Sequence, residues 1–162
     1  MFMKKIYKIV TLLILTLVSY NDVSASHLMG MDISYTHIFG DYYRITFKFY
    51  RDCSGIDADN PITINISSPS NCGTAGNVVL NRVAGTGIEV SPLCASAVST
   101  CQDASSDIPG VEEYVYEGYY TFPSKCTDWE LSYGSCCRNS IITTGSSDDG
   151  YAIKATLNNT GT

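Results

Sequence analysis

Two adjacent cysteines, Cys136 and Cys137, lie near the end of a run from Trp129 to Asn139 in which Trp129, Leu131 and Tyr133 alternate with Glu130, Ser132 and Gly134. Successive residues of a strand point to opposite faces. If the three large apolar side chains face a core, Cys137 shares their face and Cys136 lies on the other. The two thiols therefore cannot share a partner.

The N-terminus explains why cysteines are used this way. Lys4, Lys5 and Lys8 precede an apolar run from Ile9 to Val18, followed by the small-residue site Val23-Ser24-Ala25. This three-part layout predicts a secretory signal peptide over residues 1–25. The run falls short of the roughly 20 apolar residues that span a bilayer, so the chain is not membrane-spanning once the signal is removed. Residues 26–162 are long enough for one domain with its own core. Seven cysteines behind an export signal imply disulfides, because the destination is oxidising. Zinc is disfavoured: no Cys-x-x-Cys occurs, and the two histidines are His27 and His37.

Charge removes further classes. The chain has 10 basic and 16 acidic side chains; loss of three lysines and Asp22 with the signal leaves 7 and 15, a formal charge of −8. Arg44, Lys48, Arg51, Arg82, Lys125, Arg138 and Lys154 are scattered among acids, so the basic patch that a nucleic-acid partner requires is missing. Catalysis by a serine nucleophile needs a base, yet His27 sits at the predicted mature terminus and His37 ends a strand, with no nucleophile elbow nearby. No enzyme activity, catalytic residue, cofactor or metal site is predicted. Loop carboxylates at Asp57, Asp59, Asp103, Asp107, Asp148 and Asp149, with Asn60, offer oxygen ligands for calcium, but turn formation explains them equally well and the EF-hand pattern is missing.

Alternation of period two marks the strands. Met31, Ile33 and Tyr35 share one face of Leu28 to Ile38. Tyr43, Ile45, Phe47 and Phe49 alternate with Arg44, Thr46 and Lys48, and this strand delivers Cys53 with inward parity. Further strands follow over Ile62 to Ser67, Val78 to Val83, Gly87 to Val90, Glu112 to Phe122, Trp129 to Asn139 and Tyr151 to Leu157. Ser91 to Gly110 has loop composition and is a place for a binding surface. No helical period appears after the leader. Short strands separated by turn signals predict an all-β fold, an antiparallel β-sandwich of immunoglobulin or fibronectin type III kind, braced by disulfides.

In such a sandwich the second and sixth long strands run the same way in opposite sheets, so Cys53 and Cys137 are expected to bridge across the core. The third strand lies antiparallel beside the sixth, which brings Cys72 to Cys126. Cys94 and Cys101 close a small ring within one loop. Cys136 is left as the free thiol, and Arg138 is expected beside outward Asp52.

Several segments carry a family resemblance: Ala25-Ser26-His27-Leu28-Met29-Gly30, Phe49-Tyr50-Arg51-Asp52-Cys53, Val90-Ser91-Pro92-Leu93-Cys94, Pro109-Gly110-Val111, Tyr116-Glu117-Gly118, Cys126-Thr127-Asp128-Trp129 and Cys136-Cys137-Arg138-Asn139. Together they make the chain resemble the N-terminal region of large secreted surface proteins of gliding Gram-negative bacteria, which often carry a gliding motility-associated C-terminal domain. Gly30-Met31-Asp32 departs from the family's Gly-Gly-Glu, and Thr143 or Thr144 replaces a usual Asn; neither change touches a cysteine. The resemblance implies an extracellular, cell-surface protein exported by the type IX secretion route, attached through regions outside this sequence, with downstream domains and structural or adhesive work. Its ligand would be a surface polymer, glycan or protein. The alternative is a carbohydrate-binding or enzyme-associated module with an exposed aromatic platform, for which outward parity nominates Tyr42, Tyr50 and Tyr119.

Overall fold

The computed structural model describes residues 28–135 and 150–161. Its elements are β1 (Leu28–Phe39), β2 (Tyr42–Asp52), β3 (Ile62–Ser67), β4 (Gly76–Arg82), β5 (Ile88–Glu89), β6 (Val111–Thr121), β7 (Trp129–Ser135) and β8 (Tyr151–Leu157). Among the described residues there is no helix, and so none long and apolar enough to cross a membrane.

Alternation accounts for the strands. Along β2, Tyr43, Ile45, Phe47 and Phe49 are buried while Arg44, Thr46 and Lys48 are half-buried on the other face. In β3, Ile62, Ile64 and Ile66 are buried and their neighbours Thr63 and Asn65 exposed. β-Branched and aromatic side chains fit this pleated, half-buried surface.

Every pairing is antiparallel, and the strands follow one path, β1-β2-β6-β4-β3-β7-β8, with β5 added beside β6. β1, β2, β5 and β6 lie to one side of β4 along this sheet; β3, β7 and β8 lie to the other. β4 joins them. Its first part pairs with β3, while Asn81 and Arg82 pair with Glu117 and Tyr116 of β6. Gly118 permits this crossing: a Cβ there would stand 2.6 Å from Leu80 Cδ2 and 2.7 Å from the Val79 carbonyl oxygen, so only glycine lets the two backbones approach. On the far side, the Tyr35 hydroxyl of β1 donates to the Thr156 carbonyl of β8 at 2.8 Å, and the sheet is barrel-like.

The core fills the interior with rings and branched chains. Phe47, Ile45, Ile64, Leu80, Tyr116, Trp129, Leu131 and Leu157 are fully buried. Each large apolar side chain so buried contributes about 1.5–3 kcal/mol. Phe47 meets Tyr133 at 4.9 Å between ring centroids, and Phe122 meets Trp129 at 5.1 Å. Burial pushes the Tyr133 hydroxyl up to about 12.

Candidate functional site

The strand directions collect the loops at two ends. One end gathers the end of β2, the start of β3, the end of β4 and the start of β6. Arg51 continues the inward parity of Tyr43 to Phe49 and is 7 % exposed. Its Nη1 donates to the carbonyls of Gly55 (3.1 Å) and Ile56 (2.8 Å) and to Asp57 Oδ1 (3.1 Å). Nε and Nη2 reach Glu112 Oε2 at 3.2 and 3.0 Å. A planar guanidinium with five donors suits this task, because it can hold several fixed acceptors at once. Arg82 repeats the device. Its Nη2 donates to the Ala58 carbonyl, its backbone N–H donates to Asn60 Oδ1 at 3.0 Å, and its guanidinium lies 4.6 Å from the Tyr114 ring centroid. The Tyr116 hydroxyl donates to the Asp59 carbonyl at 2.7 Å. The whole β2–β3 loop is thus held from beneath.

The disulfide at this end differs from expectation. Cys53 bonds to Cys101, with Cα atoms 4.9 Å apart, so neither Cys53–Cys137 nor Cys94–Cys101 forms. The β2–β6 register supplies the reason. Asp52 pairs with Val111, and the Cys53 N–H donates to the Gly110 carbonyl at 3.0 Å, so the stretch that leads into β6 runs directly beside the residue after β2. The connection that enters the neighbouring strand β6 therefore supplies the partner of Cys53. Cys94 is exposed and forms no disulfide. Cys136, Cys137 and Arg138 lie outside the described residues; Asp52 is buried and accepts from the Ser54 hydroxyl at 2.6 Å.

The 91–110 connection turns many of its polar groups onto itself. Buried Ser99 donates to Glu89 and accepts from the Cys101 N–H at 3.1 Å, and Gln102 Nε2 donates to Glu89 at 2.9 Å. The Ser99 hydroxyl, followed by the Gln102 amide, holds the Glu89 carboxyl below its usual range. Beneath the β2–β3 loop, Phe49, Arg51, Ile56, Ala58, Ile62 and Tyr133 help to bound a cavity of about 50 Å³. That volume suits a water or two and falls well below the roughly 300–1,000 Å³ of small-molecule sites.

The opposite end gathers the β1–β2, β3–β4 and β6–β7 connections. Cys72 bonds to Cys126, the pair expected at the adjoining ends of β3 and β7, with Cα atoms 5.9 Å apart. Asp128 ties the same loops. Its Oδ1 accepts from the hydroxyls of Ser68 (2.8 Å) and Ser70 (3.1 Å) and its Oδ2 from the Ser70 N–H (2.8 Å). These bonds, the Ser68 hydroxyl first, hold its carboxyl below the usual range. Asn159, fully buried, sits at the centre of this end. Nδ2 donates to Asp41 Oδ1 and to the Ser124 carbonyl, both at 3.0 Å, and Oδ1 accepts from the Cys126 N–H at 2.7 Å. Lys125 pairs with Asp41 at 2.9 Å.

The nominated residues separate. Tyr42 and Tyr119 come together on the outer face of the β2–β6 pair, ring centroids 5.5 Å apart and planes at 14°. Phe39, which parity did not nominate, joins them at 5.2 Å from Tyr42. Tyr50 stands at the other end of β2, where its hydroxyl donates to Glu113 Oε2 at 2.8 Å, beside Lys48. That hydrogen bond, more than burial, pushes the Tyr50 hydroxyl up, while those from Tyr50 and Lys48 hold the Glu113 carboxyl down.

The remaining candidate groups do not converge on chemistry. His37 Nε2 bonds to the Gly40 carbonyl oxygen at 2.9 Å and its ring packs on Tyr43, which makes it part of the hairpin; His27 lies outside the described residues. Asp57 pairs with Arg51, and Asp103 accepts from the N–H and hydroxyl of Ser105 in a turn. Asp148 and Asp149 lie outside the described residues. Among the described residues, Cys72, Cys126 and Asp128 alone bring three metal-ligating atoms within 4.8 Å. Both sulfurs are bonded to each other there, and the carboxylate is taken by two serines, a donor set that does not fit a metal ion. Comparisons with protein families, with curated proteins and with solved structures return no match to this chain.

Proposed function

We propose that this chain is an extracellular structural or adhesive module of a bacterial cell-surface protein, non-catalytic, with a sandwich of fibronectin type III kind. The observation that carries the reading is that each end of an all-β scaffold is closed by its own disulfide, Cys53–Cys101 and Cys72–Cys126. Such bracing belongs to domains that work in an oxidising medium. The division of strands into β1-β2-β6 and β4-β3-β7-β8 supports the fibronectin type III arrangement. The leader-like N-terminus and the family motifs support secretion and surface attachment.

The test is direct. Expressed in a gliding Gram-negative host, the chain is expected in the medium or at the cell surface with its mature N-terminus at Ser26. Beads coated with the purified domain are expected to adhere to cells or polymer-coated surfaces. Retention in the cytoplasm, or beads no more adherent than albumin-coated ones, would overturn the reading.

A further inference from the structure

We infer that Phe39, Tyr42 and Tyr119, with Tyr42 and Tyr119 within 14° of parallel and Phe39 tilted 39° to Tyr42, form an aromatic platform that binds the pyranose rings of a neutral polysaccharide. This rests on the adhesive reading above and names its ligand. Phe39 is 67 % exposed and Tyr119 53 %. Single exposed apolar side chains are ordinary, but here three rings from three neighbouring strands form one contiguous patch.

The patch is also rigid. Tyr42 and Tyr119 belong to the β2–β6 ladder, in which Tyr42 pairs with Thr121 and Arg44 with Tyr119. Phe39 and Tyr42 flank the two-residue turn Gly40-Asp41, where Gly40 has φ of 53°, the left-handed conformation that glycine adopts at least cost. Asp41 pins that turn three times: to Lys125, to Asn159 and, through its carbonyl, to the Phe122 N–H at 2.9 Å. Rings already fixed in place lose little entropy on binding.

The surface chemistry selects the occupant. An aromatic face carries negative charge density that attracts the polarised C–H groups of a pyranose. Around the rings, Thr36, Thr121 and the Arg44–Glu117 pair, 3.8 Å apart, offer donors and acceptors for sugar hydroxyls. The formal charge of −8 on the mature chain repels an acidic polysaccharide, whereas a neutral one meets no such barrier. A protein partner would need roughly 800 Å² of this surface, more than three rings at one corner of the fold supply.

Affinity electrophoresis of the disulfide-intact mature chain in native gels containing hydroxyethylcellulose, galactomannan or xylan, with alginate as the acidic comparison, tests this. Retardation is expected in at least one neutral gel and not in alginate. Tyr119→Ala should weaken it at least ten-fold, Tyr119→Trp should restore it, and Tyr50→Phe should leave it unchanged, all with melting temperatures near that of the parent. No retardation in any neutral gel, retardation unaffected by Tyr119→Ala, or stronger retardation in alginate overturns the platform. A dimer abolished by Tyr119→Ala would overturn it in favour of a second copy of the chain. Bead adhesion that persists without Tyr119 overturns the platform and leaves the adhesive reading standing; retardation without adhesion does the reverse.

Discussion

The two ends of the barrel solve one problem by different means. Each must hold loops against a core that stops abruptly, and each has one disulfide. At the Arg51 end, two guanidinium groups reach under the β2–β3 loop and hold its carbonyls. At the Asn159 end, a neutral amide ties the β1–β2 turn and the β6–β7 connection to the segment after β8, and Asp128 adds a charged tie to the β3–β4 loop. The first end is closed with buried charge, which is costly to disturb. The second is closed by a buried neutral amide with the carboxylates of Asp41 and Asp128 nearer the surface, and it presents the exposed aromatic corner.

This contrast can be broken most forcefully at Arg51. Arg51→Met leaves the Gly55 and Ile56 carbonyls without their side-chain donor and leaves Glu112 with the Tyr114 hydroxyl but no cation; breaking a fully buried pair costs about 3–5 kcal/mol, and denaturant unfolding should show a drop approaching that size. A loss under about 1 kcal/mol would mean that Arg82 alone suffices. Next come the bridges. They close 48 and 54 residues of chain, and chain entropy assigns each about 4 kcal/mol at most, commonly about 2–4. Cys53→Ser and Cys72→Ser should therefore destabilise alike, with Cys94→Ser close to neutral. Asn159→Ala should cost about 1–3 kcal/mol by stranding the Cys126 N–H, the Ser124 carbonyl keeping Trp129 Nε1, and it should loosen the β1–β2 turn in hydrogen exchange while leaving the β2–β3 loop protected.

The smallest effects are those of pH, and their alkaline arm falls on the Arg51 end. Tyr114, Tyr116 and Tyr133 all cluster toward the Arg51 end, and burial is the first cause of the raised value in each. In the unfolded chain a tyrosine ionises near pH 10, so the unfolded state binds fewer protons than the folded one as pH rises from about 10 towards 12. Stability must fall across that window. Tyr133→Phe should flatten the decline. Asp128 has the opposite sign: its carboxyl is held low, so its contribution is present above roughly pH 4 and lost on acidification. Alkali should therefore open the Arg51 end first, while acid should loosen the β3–β4 loop together with the contacts of Glu89 and Glu113, whose carboxyls are also held low, as amide exchange at the two pH extremes would show.

Much of this was legible in the chain, and the parts that were not have identifiable causes. Alternation located β2 and β3 because one face of each is buried, and the adjacency of β3 and β7 brought Cys72 to Cys126. Cys53–Cys101 was hidden because it depends on the register between β2 and β6, which are separated by nearly 60 residues in sequence and meet only in the fold. Arg51 had inward parity in plain view; its charge argued for the surface, and only the loop carbonyls above it make burial tolerable. Asn159 carried no local signal, since its partners lie at Asp41, Ser124 and Cys126. Phe39 escaped for a geometric reason. A bulge between His37 and Phe39 shifts the register and turns onto the outer face a ring that strict alternation would have pointed inward.

The single path of antiparallel strands has a mechanical consequence. β1 begins at the Arg51 end, where Leu28 pairs with Arg51, and β8 finishes at the Asn159 end, where Leu157 pairs with Trp129. Tension applied through the two ends of the chain therefore runs along the strands and shears β1 against β2 and β8 against β7. Ladder hydrogen bonds lie perpendicular to the strands, so they resist such a pull together instead of opening one at a time. If those outer strands yield, the interleaved bonds Cys53–Cys101 and Cys72–Cys126 keep the interior from paying out its full length. A module built this way stretches by its edges and keeps its middle.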